Sequence, residues 1–160
     1  MYISFDQLPD TARIWIYQSD RRLTADEEEQ IQLKLRQFVQ EWSAHGSALQ
    51  ASAEILRGQF LVLATDESAS QPSGCSIDAS VRFIRELEQE YNLNLTDRSQ
   101  LAFLLDNRIK LMSVAEVKNQ IKQGNITPDV LYFDNLVPTV GELKTNWVKP
   151  ASTSWLSKYF

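Results

Sequence analysis

Apolar and polar positions recur along this chain with three different periods. RIWIYQS (13–19) is dense in aromatic and β-branched residues, the composition of a strand. From Ala25 the spacing changes. Ile31, Leu35, Phe38, Val39 and Trp42 return every three or four positions, which predicts a helix with one buried face running to about Ala44. Thr24 and Glu27 form a capping box at its start, and the acidic run Asp26 to Glu29 complements the positive end of the helix. Gly46 is expected to stop it, with His45 at the helix terminus. ALQASAEIL (48–56) then alternates, predicting a strand with one wet face. QFLVLAT (59–65) is apolar on both faces, like a central strand, and Arg57-Gly58 turns the chain between the two. Ile77, Val81, Ile84, Leu87 and Tyr91 mark a second amphipathic helix.

The remaining third is patterned more weakly. LAFLLD (101–106) and RIKLMS (108–113) read as a hairpin across Asp106-Asn107. Ser113 and Glu116 repeat the capping box for a short helix that Gly124 should end. VLYF, beyond Pro128, is compatible with strand or helix. The tail NWVKPASTSWLSKYF holds four of the sixteen aromatic residues. The order strand, helix, strand, strand, helix, strand predicts an α+β fold: a two-layer ferredoxin-like βαββαβ sandwich with an appended hairpin and C-terminal helices, one domain over residues 1–160.

Composition narrows the chemistry. A net charge of −5 and a pI near 4.9 argue against a broad grip on nucleic acid or on an anionic membrane. No run of 18 apolar residues offers a membrane span, and the opening MYISFDQLPD lacks the basic and apolar regions of a secretory signal. A single cysteine suits a reducing compartment, so the cytoplasm is the expected location. With one histidine, His45, no site can use two imidazoles, and no Cys-x-x-Cys pair exists for zinc. The five glycines stand at least 12 residues apart, so neither G-x-x-x-x-G-K-[ST] nor G-x-G-x-x-G occurs. A P-loop nucleotide hydrolase is excluded, and nothing in the residues calls for a cofactor or a metal.

The predicted topology suggests where a site would lie. In a ferredoxin-like sandwich the first helix and the third strand end at the same end of the sheet. The turn W-S-A-H-G (42–46) and the loop after Asp66 then become neighbours, bringing His45 towards Cys75, with Arg13 opening the first strand beside them. Cys75 is expected about one residue ahead of the second helix, where free N–H groups stabilise anions and lower a thiol's pKa. His45 could activate that thiol, with Asp66 or Asp78 orienting the imidazole. The same N–H groups, with Ser73, Gly74, Ser76 and Arg13, could instead hold a phosphate or carboxylate.

Each of these residues also has a structural reading, and it carries more weight. A lone cysteine is commonly a buried small hydrophobe, so the helix start rather than the sulfur is expected to face any ligand. Ser76 reads as the helix cap, Asp78 as a dipole-matched acid, and Asp66 as the cap of its own loop. Trp15, Tyr17 and Phe60 resemble base-stacking residues on an open sheet, but the acidic balance argues against RNA. The aromatic tail reads as packing, with Trp147 and Trp155 covering the sheet or a partner subunit in a homo-oligomer.

The stretches EWSAHG, GQFLVLATDES, SGCSIDASVRFI and SWLSKYF resemble a family of uncharacterised bacterial proteins of about this length, whose members often carry the label "ABC transporter ATPase". The resemblance spans most of the chain and implies no catalytic residue. The label conflicts with the absence of Walker motifs. Three function classes follow: a domain binding a small anionic ligand near His45 and the Cys75 helix start, a protein-interaction module using the aromatic tail, and a Cys/His thiol-dependent enzyme.

Overall fold

A computed structural model describes all residues from Met1 to Phe160 and shows a mixed α+β chain. It divides into two compact units, Met1–Thr96 with Pro138–Glu142, and Asp97–Val137 with Leu143–Phe160. No helix is long and apolar enough to cross a membrane.

In the first unit, strand β1 (Arg13–Gln18) is followed by helix α1 (Ala25–Glu41). A miniature hairpin follows, β2 (Ser43–Ala44) with β3 (Ser47–Ala48), then strands β4 (Gln50–Leu56) and β5 (Phe60–Asp66), and helix α2 (Gly74–Tyr91). The sheet order is β1–β5–β4, antiparallel throughout, with Arg13 opposite Thr65 and Gln18 opposite Phe60. The all-apolar strand is therefore central, and Leu61, Val62, Leu63 and Ala64 are fully buried. Leu61 and Leu63 share one core with Ile31, Leu35 and Val39 of α1 and Ile84 and Leu87 of α2, so both helices cover one face. Phe38 and Phe83 stack at 4.5 Å between the helices.

Three local readings are corrected here. Helix α1 stops at Glu41, ahead of His45. Trp42 turns extended (φ −68°, ψ 130°), buries its indole, and its carbonyl receives the Leu49 N–H. His45 and Gly46 form the tip of the β2–β3 hairpin, both with positive φ (49° and 79°), as a two-residue turn of this kind requires. Nor does β4 have a wet face: Ser52 is fully buried, because the N-terminal arm lies along the strand, Ile3 N–H donating to Ala51 O at 2.8 Å. Burial, with Asp6 adding repulsion, pushes the Glu54 carboxyl above its ordinary range.

The predicted fourth strand of the sandwich, 101–106, pairs elsewhere. In the second unit β6 (Leu101–Leu105) and β7 (Arg108–Met112) form the expected hairpin, with positive φ at Asp106 and Asn107. Helix α3 (Val114–Lys122) follows, capped by Ser113 and Glu116. VLYF resolves as extended: strand β8 (Leu131–Phe133) pairs with β6. A short helix α4 (Val140–Asn146), whose first residues Val140–Glu142 belong to the first unit, precedes strand β9 (Val148–Pro150), which completes a sheet ordered β7–β6–β8–β9; two 3-10 turns end the chain. The edge of β1 is instead met by residues 138–140 of its own unit, Ile14 N–H donating to Pro138 O and Val140 N–H to Ala12 O.

Candidate functional site

The start of α2 is built by its serines. Ser73, not Ser76, is the N-cap: its hydroxyl accepts the Ser76 N–H, and the Ser76 hydroxyl accepts the Ser73 N–H, each at 3.1 Å. This puts Gly74 and Cys75 inside the first turn rather than ahead of it. Ser76 is buried and donates its hydroxyl proton to Ser43 O at 2.7 Å, while Trp42 Nε1 donates to Ser76 O at 2.9 Å. The β2–β3 hairpin is thus fastened to the helix start through Ser43 and Trp42. His45 stands exposed at the hairpin tip and is not one of the fastening residues.

Cys75 is exposed, against the expectation of a buried thiol. The reason is helical phase. Ser76, Ser80, Ile84 and Leu87 occupy the inward face, and Cys75 falls off that stripe. Asp78, one turn further on, is exposed. Asp66 caps its own loop, accepting the Ser68 N–H at 3.0 Å and the Ser68 hydroxyl at 2.7 Å. Arg13 lies 4.6 Å over the Trp15 ring and pairs with Glu67 at 3.5 Å. The hairpin and the helix start are joined through Trp42, Ser43 and Ser76, and Arg13 pairs with Glu67, so most of these polar groups already serve one another. Thr65 is an exception. It is fully buried opposite Arg13 and Ala51, and its hydroxyl, like that of the buried Ser52 on β4, has no partner.

A second surface lies in the C-terminal unit. Trp147 is buried against Phe133, as a packing residue should be (ring centroids 5.1 Å). Trp155 and Phe160 are not: 40% and 39% of their surface is exposed. Leu156 is the residue that anchors this last turn, buried in a core with Phe103, Met112, Val117 and Tyr132. Trp155 Nε1 donates to the Tyr132 hydroxyl at 3.1 Å and its ring meets Tyr159 edge-on at 6.1 Å. Burial holds the Tyr132 phenol above its ordinary pKa, the Trp155 hydrogen bond working the other way. Lys158 Nζ sits 5.5 Å from the Trp155 ring and 5.2 Å from Tyr159, and Lys118 Nζ sits 4.9 Å from Tyr159. On the strands, Lys110, Phe103, Tyr132 and Lys149 form one row across the same face.

Sequence reasoning singled out the aromatic tail but not Lys118 and Lys110, which lie about 40 and 45 positions before it. Their available signal is phase: Lys110 shares its strand face with the core residue Met112, and Lys118 flanks the buried Val117 on its helix. Comparison with protein-family profiles, with curated proteins and with solved structures finds no match to this chain.

Proposed function

We propose that the chain is a protein-interaction module whose binding surface is the exposed aromatic end of the second unit. The observation that carries this reading is the exposure of Trp155 and Phe160 on a turn that Leu156 anchors in the core. A rigid, half-exposed indole supplies contact area with little conformational entropy to lose, which is why tryptophan and tyrosine dominate binding hot spots. The test is selection from a random 12-residue peptide library with the wild-type chain and with Trp155→Ala, both checked for unchanged melting. Peptides retained by the wild type and lost by the variant support the reading. No retained peptide, or retention that ignores Trp155, overturns it.

A second reading is favoured by one specific observation, the partnerless buried hydroxyl of Thr65 at the end of the sheet that carries Arg13. Here a small anion such as phosphate or a carboxylate binds between the first turn of α2 and the strand ends, near His45, Cys75 and Arg13. A thermal-shift screen with phosphate, nucleotides and carboxylates tests it. Ligand at 100 times its dissociation constant adds about 2.7 kcal/mol of stability, and Thr65→Val should remove that gain.

For the fold, we infer that the first unit follows the ferredoxin-like order through its first two strand–helix passages. The β1–β5–β4 arrangement and the shared helical face support this, with the last strand of that plan absent from the sheet. The expected cytoplasmic location and the resemblance to the bacterial family are part of the same proposal.

A further inference from the structure

Charge is divided unequally between the two units. The first carries eight Lys and Arg against sixteen Asp and Glu, whereas the second carries eight against five. The aromatic surface therefore belongs to the basic part of an acidic protein. Its lysines are also available. Lys158 and Lys118 lie over aromatic rings, and neither they nor Lys110 form a salt bridge. Lys149, at the other end of the strand row, shows the contrast, since it pairs with Asp134 at 2.8 Å and is largely buried.

Resting on the interaction-module reading, we propose that the partner segment is an acidic peptide: Asp or Glu residues meet Lys118, Lys158 and Lys110, and an apolar side chain covers Trp155. An ammonium over a ring is attracted by the π-face, which leaves its outer side open to a carboxylate. Opposite charges brought together at an interface rim chiefly raise the association rate and select the partner. A nucleic acid would also meet aromatic rings and lysines, but the chain's net charge of −5 repels a polyanion of phosphates more than a short acidic segment.

The experiment uses the full chain and a peptide retained in the library selection. Three binding measurements by fluorescence anisotropy are compared: that peptide, the same peptide with every Asp and Glu changed to Asn and Gln, and a 12-nucleotide single-stranded DNA. Retained sequences rich in Asp and Glu, and an amide version binding about tenfold weaker or worse, are expected. Lys118→Glu with Lys158→Glu should abolish binding, and Lys118→Gln with Lys158→Gln should weaken it, both variants melting like the wild type because these side chains are exposed. Retained peptides without excess acid, or equal binding of the amide version, overturn the acidic partner while leaving the Trp155 surface in place. Tighter binding of the DNA than of any peptide overturns it as well.

Discussion

The Trp155 indole donates its only hydrogen bond to the hydroxyl of Tyr132, 23 positions earlier in the chain and part of the second unit's core. An exposed aromatic ring is thereby held to a buried strand residue. Its orientation is fixed before any partner arrives, and a pre-ordered ring loses less entropy on binding.

Tyr132→Phe separates this positioning from packing, because the ring stays and only the acceptor goes. Stability should fall by about 1 kcal/mol or less, since water can replace the lost partner of an exposed indole. Peptide affinity should fall more than that, with Trp155 still present. Equal losses in melting and in binding would mean that the hydrogen bond does not position the ring.

At the start of α2 two neighbouring residues should behave oppositely. Ser76→Ala removes the acceptor of the Ser73 N–H and the donor to Ser43 O, at a cost of about 1–3 kcal/mol. Cys75→Ser changes an exposed side chain and should stay within about 0.5 kcal/mol. Iodoacetamide should label Cys75 in the native protein. Labelling only in denaturant would contradict its exposure.

Glu27 supplies the pH dependence. It accepts both Arg21 nitrogens at 2.8 Å and the Thr24 N–H at 2.9 Å, and the Arg21 guanidinium, seconded by that N–H, holds its carboxyl down to about 2. A carboxylate with a depressed folded pKa stabilises above its unfolded value and loses that contribution as pH falls towards the folded one. Glu27→Gln keeps a capping acceptor but loses the charge. It should cost about 1 kcal/mol or less at neutral pH, because Arg21 is substantially exposed. The difference from wild type should shrink between about pH 5 and pH 2. A difference that stays constant over that range would contradict the ion pair.

Sequence periodicity located the helices and the strands of the central sheet because these elements bury one continuous face, as Leu61 and Leu63 do against Ile31 and Ile84. It misplaced His45 because Trp42 fits the helical spacing of Ile31 and Leu35 yet leaves the helix to bury its indole, which no period records. Ser52 reads as a wet position in an alternating strand. Its burial depends on an N-terminal arm without periodicity of its own. At the candidate sites, residue types were legible but partners were not. Ser73 and Ser76 look like anion ligands in sequence, and in the fold they cap each other. Lys118 and Lys158 come together at Tyr159 only because α3 and the last turn share a core.

The chain carries four tryptophans, two of which report directly on the two candidate sites: Trp42 Nε1 is bonded to Ser76 at the α2 start, and Trp155 Nε1 is bonded to Tyr132 at the aromatic surface. Their indole signals in a ¹H–¹⁵N correlation spectrum, assigned by single Trp→Phe variants, can be followed while a selected acidic peptide and, separately, inorganic phosphate are added. Movement of the Trp155 signal with the peptide, while Trp42 stays fixed under both additions, is the expected result. A fixed Trp155 signal, with Trp42 moving on addition of phosphate, would contradict it and place binding at the helix start.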